Sequence, residues 1–587
     1  MPHTSRGAAS ARRINGALFR RYLSRALHVV PFVAGLTWLY GGTLLEHVRR
    51  AANPLRFADD MRHQTYAFFR YGDPALFSHD YASDYLLRAY FPLGYRGLFT
   101  VGARVWDAAA LGKVLPYVLL ALTCAALWFV ASRIGHRASG WFALALVLGS
   151  GLFLSRMAGG LPRAFAFPVL AWAMTALVYG RVRGAVGAVW AGAAFYPVAG
   201  AIAGMTMTLV LLALPASDRG EAANWTFRKR ILVLVVTAGV SVLIMLPAVI
   251  GGSTYGRLLT SADQTQFPEA GPRGRLRGQN APPWDGYPVA ASNWASRTVT
   301  ASKKAWLPQV HKPLFGTHRK PRGAWLLVGL GIVAALGWAS LLRRSSAARV
   351  FAMLAVASAI GYAAARSLTP YLYLPPRYVM YPIPILCAVG LPVALFEVAR
   401  LASVRLRQTG AAFVIGLALC SGWLAIATGD TNPSVGMRTE VSALRPLWQV
   451  IEALPKDAMI AGWPKGVMDN VPYVTRRQAF LTYETHQVYH ERYVQEMRKR
   501  MRALIAAYFA SSRQPLDKLR DEYGVTHLLF DTQHHQTAPT YFAPFGDLAQ
   551  GAFRKNEGLF FLRPDAINPA IIYRHGDLIL LDLARLP

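Results

Sequence analysis

The chain has 587 residues, of which 54% are hydrophobic, with mean hydropathy +0.27 and a formal net charge of +33. That length and apolar content exceed what one soluble domain carries, and a hydrocarbon core of ~30 Å needs roughly 20 apolar residues per helix, a length this sequence supplies many times. Much of the basic excess lies in short clusters between apolar runs, not on a face interleaved with aromatics, which excludes a nucleic-acid module and reads as a device for fixing membrane topology.

Residues 1–25 carry six arginines and precede an apolar run at 26–45. The run is long for a signal peptide and lacks a small-residue cleavage site, so it reads as a first transmembrane helix behind a cytoplasmic basic segment. Further apolar runs fall near 114–132, 139–155, 164–180, 184–197, 198–214, 231–250, 323–342, 350–366, 379–400 and 410–428. Together they predict an α-helical polytopic membrane protein of about eleven spans over 26–429. Phe195-Tyr196-Pro197 divides 184–214 into two short spans, because proline breaks the helix it interrupts. Cys124, Cys387 and Cys420 all fall inside spans and offer neither a disulfide framework nor a CxxC ligand spacing.

With the N-terminus inside, the cytoplasmic segments hold twenty Lys and Arg, against four in the short outer connections: Arg156, Arg163, Arg366 and Arg377. That asymmetry supports the eleven-span count, because joining 184–214 into one span would invert every later cluster. It predicts a multi-pass protein of the cytoplasmic (inner) membrane, N-terminus inside, with loops 46–113 and 251–322 and the tail 430–587 outside. Runs at 458–461 and 526–530 resemble short buried strands, and 489–510 a helix, so the tail is expected to be an extracytoplasmic α/β domain.

Seven of the thirteen Asp and Glu in residues 1–429 lie in the first outer loop, including Asp59, Asp60, Asp73, Asp80 and Asp84. Carboxylates near a membrane interface are costly unless partnered or functional. Asp59-Asp60 precede a predicted helix over 61–71, where an acid can simply cap the N-terminus. Alternatively, one of them acts as the general base for an attacking hydroxyl. Asp80, beside His79, could position substrate or join Asp59 or Asp60 around a divalent cation such as Mg or Mn. Arg163, ending Gly159-Gly160-Leu161-Pro162-Arg163, and Arg377, in Pro375-Pro376-Arg377-Tyr378, each head a span from outside. A guanidinium at a helix N-terminus suits a phosphate, while snorkelling to headgroups or an ion pair with a loop carboxylate is the plainer use and the one expected for Arg156 and Arg366. His63 and Tyr378 are the further candidate substrate contacts. The tyrosines near 81–95 and 371–381 form either an interfacial belt or a sugar-stacking surface.

A first span, a long outer loop opening on Asp59-Asp60, the run ending at Arg163, Pro376-Arg377-Tyr378 before a late span and an outer C-terminal domain together resemble the GT-C superfamily of membrane glycosyltransferases. The resemblance is architectural over most of 20–430 and is closest to its uncharacterised bacterial members. It implies a sugar donor carried on polyprenyl phosphate, a base at Asp59 or Asp60, donor-phosphate contacts at Arg163 and Arg377, and an acceptor that is a saccharide, lipid or protein. The tail lacks a Trp-Trp-Asp motif, which argues against asparagine glycosylation, and the very basic 251–322 loop departs from the pattern as a headgroup-binding or donor-meeting segment. A transporter of lipid-linked saccharide would need acids within the spans, where Glu397 stands alone, and a non-catalytic scaffold would not need the acidic pair.

Overall fold

Helices dominate the described residues up to 405 of the computed structural model, and a mixed β-sheet follows in the C-terminal region. The structure describes residues 30, 32–271, 273–275, 324–368, 374–405, 415–416 and 436–587. Described helices overlie ten of the predicted runs; the run at 410–428 lies outside the described residues apart from 415–416. Four helices are long and apolar enough to cross a membrane: Ala108–Ile134, Phe227–Ser253, Ser346–Arg366 and Arg377–Val404. The first helix runs over 32–52, beyond the predicted 45, and carries the Glu46–Arg50 ion pair on its extension.

Several spans are shorter than predicted. The 139–155 run is helical only over Arg137–Gly149 and breaks at Gly151, whose φ of +63° places it in the left-handed region. The 184–214 segment forms two helices, Val182–Phe195 and Pro197–Leu212, with Tyr196 extended between them and Pro197 in the first turn. Proline is tolerated there because its missing N–H is one the helix start leaves unbonded anyway. The two helices return on each other so closely that a Cβ on Gly192 would lie 2.3 Å from the Gly200 Cα. At 1.5 Å per residue these two helices are roughly 20–24 Å long. Phe227–Ser253 has only 6% of its most apolar stretch buried, the signature of a helix facing lipid.

The helix connections separate to two ends. At one end Asp218 receives the Arg349 guanidinium, and Glu397 receives Arg344 and Arg400. These are the segments predicted to be cytoplasmic. At the other end lie the first loop and the C-terminal region. Glu397 is thus paired twice over, which accounts for an acid near a span end without a transport role.

The strands expected at 458–461 and 526–530 form as β3 (Met459–Gly462) and β5 (His527–Asp531), and the expected helix as Glu491–Tyr508. With β4 (Gln478–Ala479), β6 (Ile571–His575) and β7 (Leu578–Asp582) they make a five-stranded sheet in the order β4-β3-β5-β7-β6. The β3–β4 and β3–β5 pairs are parallel and the two β7 pairs antiparallel. The region is fastened to the loops by β1 (Arg56–Phe57) pairing antiparallel with β2 (Thr439–Glu440), and by the ion pairs Lys456–Asp73, Arg476–Asp107 and Arg498–Glu269. The described beginning of the 251–322 loop therefore docks on protein, through Arg498–Glu269 and a Leu258–His490 bridge, while most of its basic residues lie outside the described residues.

Candidate functional site

The predicted 61–71 helix is an α-turn, Met61–Thr65, running into a 3-10 segment, Tyr66–Tyr71. Asp60 stands at its N-cap position, yet φ −67° and ψ −15° are helical and its side chain makes no cap hydrogen bond. Its carboxylate instead closes an ion pair with Arg163. The capping explanation accordingly does not account for Asp60.

Arg163 is carried into reach by the glycines before it. Gly159 and Gly160 have φ of +84° and +61°, and a Cβ on either would approach Met61 Cβ or the Gly112 backbone to 3.0 Å. Only glycine combines that backbone with that proximity. The run thus packs directly under the acidic turn before Pro162–Phe165 presents Arg163.

Arg377 arrives from a different direction, on the short helix Arg377–Met380, and its Nη1 donates to Tyr381 Oη at 2.9 Å. Arg156 and Arg163 lie within electrostatic reach of the same hydroxyl, and Tyr196 hydrogen-bonds to it. Three of the four outer arginines therefore converge on Tyr381, with Asp60 attached through Arg163. Arg156, expected to snorkel, belongs to this cluster. Tyr381 was placed among the interfacial aromatics in the sequence; its position one helical turn after Arg377 is the signal that could have found it.

Asp59 faces the other way. It pairs with Arg62 at 2.7 Å, and Arg62 Nη1 donates to Asn470 Oδ1 at 2.9 Å, while its Nη2 lies 3.8 Å from Asp469. Asp469 is buried, and burial, only partly opposed by Arg62, pushes its carboxyl up to about 6. Glu484 is raised by burial too, although Arg275 donates to it at 2.9 Å while stacking on Tyr483. Asp469, Asn470, Glu484 and Arg275 carry no local pattern that marks them, and only the docking of the C-terminal region brings them to the first loop.

His63 is buried between these groups, with Nδ1 3.9 Å from Glu484; burial and the neighbouring Arg62 hold it down at about 3, so it stands neutral. Tyr378 is buried, and its main-chain carbonyl accepts from Ser358. Asp80 does not join the acidic pair. Its carboxylate caps Tyr81–Tyr85 through Ser83 N at 2.9 Å and accepts from Tyr66 Oη at 3.1 Å, and burial raises it. These contacts are those of a helix cap, and the cation site expected of Asp80 with Asp59 or Asp60 stays a proposal. Among the described residues no group of three or more His, Cys, Asp or Glu is set to hold a metal ion.

An apolar groove leads along the lipid-facing helix Phe227–Ser253 toward this cluster. Its inner part, of about 580 Å³, is lined by residues including Gly204, Met205, Leu234 and Tyr378, the neighbour of Arg377. Its outer part, of about 410 Å³, includes Tyr90, Val249, Arg257 and His490, and the two share Ala193, Pro197 and Met245.

No protein-family model matches the chain, and no curated protein matches it. Among solved structures it is similar to ArnT from Cupriavidus metallidurans bound to undecaprenyl phosphate, at 12% identity, TM-score 0.47, covering 95% of this chain and 98% of that one. It is also similar to the oligosaccharyltransferase AglB from Archaeoglobus fulgidus in complex with an inhibitory peptide and a dolichol-phosphate, at 12% identity, TM-score 0.44, covering 85% and 70%. The same AglB with Zn and sulfate aligns at 12% identity and TM-score 0.44, covering 84% and 68%. At these values the likeness transfers no residue role.

Proposed function

We propose that the chain transfers a sugar from a polyprenyl-phosphate donor to an acceptor hydroxyl at the extracytoplasmic face of the membrane. The observation that carries this reading is the Asp60–Arg163 ion pair within the cluster of Arg156, Arg377 and Tyr381. A phosphate needs guanidinium groups, an attacking hydroxyl needs a carboxylate, and here the two kinds of group meet at one site. The groove ending at Tyr378 suits the prenyl chain of a lipid donor, since it is apolar and open along a lipid-facing helix.

In this scheme Arg163 and Arg377 hold the donor phosphate, and the first-loop pair supplies the base. The acceptor oxygen attacks the anomeric carbon as its proton passes to the carboxylate. The carbon–oxygen bond to phosphate breaks, and the phosphate leaves with the electron pair, its charge held by the guanidiniums. A single displacement inverts the anomeric centre. The test is incubation of the purified protein with a panel of polyprenyl-phosphate sugars, scored for transfer or hydrolysis. Turnover with a monophosphate donor that disappears in Arg163→Ala supports the reading; no turnover and no lipid-phosphate binding across the panel removes it.

A further inference from the structure

Asp60 and Arg163 are only partly exposed (32% and 21%), and they meet at the junction of the acidic turn and the arginine cluster. We propose that Asp60 is a placeholder for the donor phosphate on Arg163: phosphate binding takes over the guanidinium and frees the Asp60 carboxylate to act as the base. This rests on the lipid-phosphate reading above.

Three observations carry it. First, the Asp60 carboxylate has no duty to its own helix, since it makes no cap hydrogen bond, so leaving Arg163 does not undo the Met61–Thr65 turn. Second, Asp59 is differently placed: its partner Arg62 is anchored by Asn470 and faces Asp469, which keeps that guanidinium away from a phosphate. Third, Arg163, Arg156 and Arg377 all act on Tyr381, so an anion bound to Arg163 gains two further cations close by. A phosphate matches a guanidinium edge as well as a carboxylate does and carries more charge.

The exchange also answers a chemical difficulty. A carboxylate whose oxygens are taken up by a guanidinium has none turned to an incoming hydroxyl. Moving Arg163 to phosphate opens the Asp60 carboxylate to the acceptor when the donor is seated, and not before. The acceptor proton then passes to Asp60 as the acceptor oxygen bonds to the anomeric carbon.

The experiment measures binding of undecaprenyl phosphate to the full chain in nanodiscs. A carboxylate that competes for Arg163 should weaken binding, so Asp60→Asn is expected to bind about three- to tenfold tighter than the unsubstituted protein while losing turnover, a gain of the size that a partly exposed ion pair supplies. Asp60→Ala is run beside it, so that a folding failure in one variant leaves the other to decide. Arg163→Ala should bind weakly, and Asp60→Asn combined with Arg163→Ala should bind no tighter than Arg163→Ala alone. Asp73→Asn, whose carboxylate pairs with Lys456, should bind as the unsubstituted protein does. Unchanged or weaker binding in folded Asp60 variants overturns the exchange, as does an equal gain in Asp73→Asn, which would mark a general charge effect. Absence of binding by the unsubstituted protein removes the donor reading and the exchange together; binding that Asp60 does not influence removes the exchange alone.

Discussion

At the residue scale, adjacent carboxylates have different surroundings. Asp59 leans on Arg62 and through it on Asn470, while Asp60 leans on Arg163. Loss of a general base costs about 10²–10⁴-fold in rate. Asp60→Asn is therefore expected to lower turnover by that order with the melting temperature little changed, and Asp59→Asn to lower it less; equal turnover in both single variants and the double would end the loop-base proposal. Asp469 allows a separate check. Burial raises its native carboxyl to about 6, above the ordinary range near 4, so the folded state binds the proton more tightly than the unfolded chain does. The stability this contributes is present below about pH 4 and is lost as pH rises to about 6. The melting temperature of the unsubstituted protein should then fall relative to that of Asp469→Asn between pH 4 and 6 and run parallel above, and a constant difference across that range would contradict the buried-carboxyl account.

At the element scale, glycines decide what the apolar runs can build. Gly159 places the loop carrying Arg163 against Met61, with φ of +84°. A side chain there meets a left-handed penalty of about 1–2 kcal/mol and a tight contact besides. Gly159→Ala should shift Arg163 and weaken undecaprenyl-phosphate binding more than it lowers the melting temperature, which a paired titration and thermal melt would show. Where the helices Val182–Phe195 and Pro197–Leu212 pack together, Gly192 and Gly200 touch backbone to backbone. Gly192→Val has no space to relax into, and overpacking costs about 1–3 kcal/mol, so the yield of folded protein and its melting temperature should both drop. The sequence showed the break at Tyr196-Pro197 because proline announces it. It did not show the shortening of 139–155, because an apolar run carries no record of the left-handed Gly151 that ends its helix.

At the scale of the whole molecule, the two ends differ in kind. One end holds paired charges, Asp218 with Arg349 and Glu397 with Arg344 and Arg400. The other holds the arginine cluster, the acidic turn and the C-terminal sheet. The excess of basic residues in the first set of connections is the ground for proposing that this end faces the cytoplasm. Cysteine labelling tests the assignment: Asp521→Cys should react with an impermeant maleimide on intact cells, and Glu221→Cys only after the membrane is opened. The reverse pattern would place the site on the cytoplasmic face and remove an extracytoplasmic transfer.

Sequence by itself determined the membrane class, the break at Tyr196, the strands and helix of the C-terminal region, and the identity of Asp60, Arg163 and Arg377 as groups to watch. Each rests on local physics: apolar length, side-chain periodicity, proline geometry, or charge where charge is costly. Tertiary structure alone decided that Arg163 takes Asp60, that Arg156 joins Arg377 at Tyr381, that Asp80 spends its carboxylate on a helix cap, and that Asp469 and Glu484 reach the first loop. Those pairings join segments up to hundreds of residues apart, and an ion pair between distant segments leaves no periodicity in either of them.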